Sequence, residues 1–151
     1  MPTQHRPPAW SRPLERLRQF VAHTAPRWLA LTWAVWSALT ALAYVDAAPQ
    51  QLEAPASILP LPLWAAWAIA ALLLILGAVI PPQMPPRHHQ IARWFRILGM
   101  SIVTALLVLW VEAFLGAGGR GWVSAKNYAL MVCFGLATAF TMGREEGARV
   151  Q

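Results

Sequence analysis

The chain reads as an all-α protein, a four-helix transmembrane bundle with an amphipathic interfacial helix ahead of it and both termini cytoplasmic. Three observations carry this expectation. Four apolar stretches run over residues 28–45, 63–80, 97–115 and 128–142, and all thirteen prolines and nearly every charge fall between or outside them. Hydrophobic residues make up 58% of the chain and charged ones 12%, about half the charged share of a soluble domain. Ten of the twelve Lys and Arg lie on one side of the alternation that four spans impose.

Length supports the spans. A helix rises about 1.5 Å per residue, so a stretch such as 28–45 reaches roughly 27 Å, close to the ~30 Å hydrocarbon core of a bilayer. A soluble bundle would alternate apolar and polar faces at a 3.6-residue period, and Leu63 to Ile80 has no polar face at all. The mean hydropathy of +0.45 averages these spans with polar ends.

Residues 1–27 form a cytoplasmic basic segment. Its first ten are Pro-rich and are expected to be disordered. From Ser11 the chain reads as a short helix: Ser11 can cap it, Pro13 is tolerated in a first turn, and Leu14, Leu17, Phe20 and Val21 line one face. Such a helix lies in the headgroup layer, and Pro26 is expected to end it. Residues 28–142 form the membrane domain, and 143–151 a cytoplasmic tail.

Charge sets the orientation. Arg6, Arg12, Arg16, Arg18 and Arg27 precede the first span; Arg87, Arg93 and Arg96 lie between the second and third; Arg144 and Arg149 follow the fourth. The other side receives Arg120 and Lys126, with Asp46 and Glu53. Short basic loops stay cytoplasmic, which places both ends inside. Arg12, Arg16, Arg18, Arg27, Arg87, Arg93 and Arg96 are expected to meet lipid phosphates, at ~1 kcal/mol per basic residue near the surface. Net charge of +6 therefore speaks for membrane topology, and no nucleic-acid partner is expected. Ala41-Leu42-Ala43 resembles a signal-peptide cleavage site, but a 27-residue lead and Trp33 and Trp36 in the core argue against cleavage.

The loops read simply. The first, from Asp46 to Pro62, carries four prolines, and its Ile58–Pro62 end lies back on the surface. Paired prolines end the second span, and a helix starting near Arg87 runs on into the third. The segment from Gly116 to Asn127 is glycine-rich and expected to be flexible. Trp28 and Trp94 fall at the inner membrane boundary, and Trp64, Trp67, Trp110 and Trp122 at the outer one, as an aromatic belt requires. Trp33 and Trp36 sit deeper and are expected to pack.

Glu112 is the one acidic residue inside an apolar stretch. A charge at a helix centre costs ~2.5–3.5 kcal/mol in a membrane, which makes it a functional candidate. Three residues from the end of its span, it can instead anchor to headgroups or pair with Arg120 or Lys126. Ser101, Thr104 and Glu112 share one broad side of the third span, and Thr138 and Thr141 mark the fourth. The hydroxyls can line a polar path or bond to backbone carbonyls. Gly135, Ala139 and Gly143 recur every four residues, a spacing that lets helices approach, within the bundle or between copies. His88-His89 diverge on a helix without a third ligand. The lone Cys133 allows no internal disulfide. No catalytic constellation is present, and neither enzymatic activity nor a cofactor or metal is expected.

Size, four spans, the basic amphipathic start and the short tail, together with Pro60-Leu61-Pro62-Leu63-Trp64 and Ile80-Pro81-Pro82 around the second span, resemble the small four-span holin-like proteins of lysis cassettes in phages infecting actinobacteria. Eleven Arg against one Lys, with abundant Ala, accord with a GC-rich source. The resemblance implies multi-pass insertion in the bacterial inner membrane, self-association, and permeabilisation or depolarisation during phage lysis. Two other readings stand beside it: an accessory or assembly subunit of a larger membrane complex, and a small transporter. Small multidrug exporters carry a membrane-embedded Glu in their first span, and here that span has none. The expected partners are the lipid bilayer and either further copies of the chain or another membrane protein.

Overall fold

In the computed structural model the backbone is described for residues 11–46, 49–57, 59–80 and 85–143, and side chains from 24 onward apart from 54, 55 and 86. The described residues are all helical, with no strand. Five helices follow in order: α1 (Ser11–Ala43), α2 (Gln50–Ala56), α3 (Leu63–Val79), α4 (Pro86–Gly116) and α5 (Gly121–Gly143). Two of them, α4 and α5, are long and apolar enough to cross a membrane, and α3 is a shorter apolar helix of 17 residues.

The long helices pack in chain order, α1 on α3, α3 on α4 and α4 on α5, each antiparallel to the last. Antiparallel pairing follows from which residues meet. Gly77 near the end of α3 lies against Ala92 and Arg96 near the start of α4, and Gly135 in α5 lies against Thr104 in α4. The two outer helices of this row, α1 and α5, touch only sparingly.

Glycine decides how near α3 and α4 come. A Cβ built on Gly77 would sit 2.7 Å from the Ala92 carbonyl oxygen, and one on Gly99 would sit 2.8 Å from Leu74 Cγ. Both are too close for real atoms, so these two glycines permit the crossing. Close fit at such a crossing supplies dispersion contacts.

Two helix boundaries differ from the sequence-based expectation. Pro26 lies inside α1, and the helix runs on through it to Ala43. Proline removes one backbone bond and crowds the preceding turn, which bends a helix as readily as it ends one. α5 starts at Gly121, seven residues before the expected 128, so much of the glycine-rich segment is helical. The reversal spans Ala117 to Arg120 and turns on Gly118 and Gly119, with φ of +65° and +54°, and the Gly121 N–H donates to the Gly118 carbonyl at 2.9 Å. A third feature was not anticipated. The proline-bearing loop contains α2, which lies on α4 and buries Leu52 in the core. The segments 1–10 and 144–151, including the expected disorder and the tail arginines, lie outside the described residues.

α4 begins as the sequence suggests, with Pro86 in its first turn. Pro is favoured there because the N–H it lacks would have no helical partner. The core is formed by Trp33, Trp67, Leu74, Met100, Leu107 and Trp110 among others. The exterior is also apolar: Val35, Leu39, Leu72, Leu130, Phe134 and Phe140 are all exposed.

Candidate functional site

Three arginines gather at one end of the bundle. Arg27 Nη2 donates to the Ile80 carbonyl at 2.6 Å, Arg96 Nη1 to the Gly77 carbonyl at 3.4 Å, and Arg93 Nη2 to the Gly143 carbonyl. All three acceptors belong to the last turns of α3 and α5. The last four carbonyls of a helix have no partner inside it and carry the negative end of its dipole, so a guanidinium is the natural cap. Arg96 is only 4% exposed, its stem laid across Gly77.

Arg27, Arg93 and Arg96, expected to meet lipid phosphates, each donate to a helix end, whose last carbonyls have no partner within the helix. Arg87 is exposed, and the side chains of Arg12, Arg16 and Arg18 lie outside the described residues.

The tryptophans divide. Trp28, Trp64, Trp94 and Trp122 are exposed. Trp67 and Trp110, expected in the outer belt, are buried at 0% and 6% exposure. Their helix faces turn inward, and they form the centre of an aromatic cluster. Trp36 and Trp67 meet edge to face at 5.2 Å, Trp67 and Trp110 at 5.7 Å, and Trp110 and Tyr128 at 4.4 Å. Phe114 stacks on Tyr128, and Tyr44 joins from the turn just after α1. Edge-to-face contact sets the positive ring edge on the negative face, worth ~0.5–1.5 kcal/mol per pair beyond area. The Trp67 and Trp110 indole N–H groups have no hydrogen-bond acceptor among the described residues and lie among ring faces. Trp33 and Trp36 pack, as expected, 5.6 Å apart.

The polar residues of α4 do not form one stripe. Thr104 is buried against Gly135, whereas Ser101 and Glu112 are exposed. At about 100° per residue, Ser101 and Glu112 lie only ~20° apart around the helix, while Thr104 is turned by ~60° toward α5. The Ser101 hydroxyl donates to the Ile97 carbonyl at 2.9 Å, and Thr138 and Thr141 likewise bond back to their own helix. No ion pair among the described residues joins Glu112 to Arg120 or Lys126. All three are exposed, and the Lys126 ammonium sits 5.8 Å from the centre of the Trp122 ring.

The small-residue ladder of α5 is split in the same way. Gly135 is buried, and a Cβ there would meet Thr104 Oγ1 at 3.0 Å. Ala139 packs at the edge of the core, and a Cβ on Gly143 would meet nothing within 4 Å among the described residues. Gly135 therefore serves contact within the bundle. Gly77 and Gly99, which govern the tighter α3–α4 crossing, were missed because neither has a small residue four positions away on the same helix. The signal available was only a lone glycine within an apolar run.

Between α1 and α5 a cleft of about 540 Å³ remains, lined by Leu29, Thr32, Trp33, Trp36, Leu130, Met131 and Phe134. Its one hydroxyl, on Thr32, is bonded to the Trp28 carbonyl at 2.9 Å. Among the described residues there is no group of three or more side chains able to hold a metal. His88 and Cys133 are exposed.

Comparison with protein-family models, with curated proteins and with solved structures finds no match to this chain.

Proposed function

We propose that the chain is a multi-pass protein of a bacterial inner membrane, crossing it through α1, α3, α4 and α5 with both ends in the cytoplasm. Copies associate in the plane of the membrane and permeabilise or depolarise it, as holin-like lysis proteins do. The observation that supports membrane residence is the exterior. Leu39, Leu72, Leu130 and Phe140, one or more on each of α1, α3 and α5, are more than half exposed. Such a surface would drive aggregation in water and is at rest in hydrocarbon. The 17 residues of α3 reach about 26 Å, which a bilayer accommodates by slight thinning.

The orientation follows the basic residues, with Arg27, Arg87, Arg93 and Arg96 at the cytoplasmic end. The lysis role rests on the family resemblance. Two measurements test the reading. Reporters active only outside the cytoplasm, fused to either terminus, should stay silent. Inducible expression should halt bacterial growth and collapse the membrane potential; normal growth at high levels of inserted protein would overturn the lysis role.

A second reading, an accessory subunit of a larger membrane complex, is favoured by the cleft between α1 and α5, an apolar groove left open along the bundle. It predicts a specific partner retained in mild detergent, and recovery of the free chain or its homo-oligomers alone counts against it.

A further inference from the structure

The outward face of α4 differs from the other exteriors. Leu98, Ser101, Ala105, Val108, Glu112 and Leu115 are all exposed, at alternating intervals of three and four. That is the 3.5-residue spacing of a helix–helix seam, and it extends about 26 Å. Its middle is made of the small residues Ser101 and Ala105, where α1 and α3 present Val35, Leu39, Leu72 and Leu76. No other long helix carries a charged residue within its apolar run.

We propose that this seam is where a second copy of the chain docks, α4 against α4, in a parallel two-fold pair. The proposal rests on the self-association named above and gives it a surface. Charge complementarity selects the occupant. Glu112 lies at the outer end of the seam with no ion-pair partner among the described residues, and Arg120 is exposed in the turn just beyond it. A two-fold axis parallel to the helices brings the same end of both copies together. The two Glu112 carboxylates then face each other across the seam, and Arg120 of each copy, in the turn just beyond, is placed to reach the other's Glu112, two equivalent pairs that offset the like-charge approach. A carboxylate turned toward acyl chains is costly alone, and the pairing relieves that cost at both sites.

The centre of the seam suits the approach. Small side chains let two helices come within about 8–10 Å. The Ser101 hydroxyl is already bonded to Ile97, so docking strips it of nothing. The ladder of α5 is a poorer candidate, since its Gly135 is occupied by Thr104 within the same bundle.

The test is oxidative cross-linking of the full chain in native membranes, with Cys133→Ser as background. Single cysteines are placed in the seam (Ser101→Cys, Ala105→Cys) and on the exterior of α3 (Leu72→Cys). Dimers of the 16.7 kDa chain are expected from the two seam positions and not from Leu72→Cys. Arg120→Glu removes both pairs of the two-fold contact and should lower the yield about thirtyfold, the scale of two ion pairs of ~1 kcal/mol each, and adding Glu112→Arg should restore it. Monomer at both seam positions, equal yield at Leu72→Cys, or a cross-linked band containing a different protein overturns the proposal. Membrane potential read in the same cells separates the two claims. Depolarisation without seam dimers sinks this contact alone, whereas dimers in fully energised cells support it and sink the lysis role.

Discussion

Gly77 shows how much a single missing methyl group decides. A Cβ at this position would meet the Ala92 carbonyl and the Arg96 stem at once, neither able to yield without moving α4. Gly77→Ala should therefore cost ~1–3 kcal/mol, the usual penalty of overpacking, and lower the thermal midpoint in detergent. Gly143→Ala is the matched control. Among the described residues nothing lies within 4 Å of a Cβ there, so the midpoint should stay within error. Sequence spacing ranks these two the other way round, because it rewards the ladder Gly135–Ala139–Gly143 and passes over an isolated glycine. The arginines teach a similar lesson. Their position at one end was legible from topology, but the donation of Arg27, Arg93 and Arg96 to helix carbonyls depends on which helix ends the fold brings beside them.

At the scale of the element, apolar runs located helices better than punctuation ended them. The predicted stretch 63–80 and the observed Leu63–Val79 agree to one residue, since proline bounds both sides. In α1 and α5 the punctuation misled: Pro26 is carried inside a helix, and only two of the glycines before α5 form the turn. Those two have positive φ, where a side chain costs ~1 kcal/mol or more. Gly118→Ala with Gly119→Ala should therefore destabilise the α4–α5 reversal by roughly 2 kcal/mol, read as loss of helicity at a lower denaturant concentration. Single replacement of Gly116, which has open space and no positive φ, should leave that concentration unchanged.

At the scale of the molecule the telling feature is how many large apolar side chains the described residues expose. In water, exchanging an exposed leucine for lysine is close to neutral. In a bilayer the same exchange near the middle of a helix costs ~2.5–3.5 kcal/mol. Leu72 is 56% exposed at the middle of α3, so Leu72→Lys discriminates the two media. Strong loss of membrane-inserted protein is expected, and an undiminished soluble yield would exclude a lipid-facing surface. The apolar exterior also frames the two open features of the bundle, the α1–α5 cleft and the α4 seam. One is lined by large rings and aliphatics, the other by small and charged residues, and these suit different neighbours.

What the chain alone determined is its all-helical class and the placing of its apolar runs. Both are properties of runs, and they need no knowledge of neighbours. Only the tertiary structure decided which face of each helix turns inward. It buried Trp67 and Trp110 while leaving Trp64 and Trp94 outside, parted Thr104 from Ser101, and chose Gly77 and Gly99 as the crossing. When every face is apolar, periodicity has no contrast to report, and only the fit of one surface to another settles the rotation of each helix.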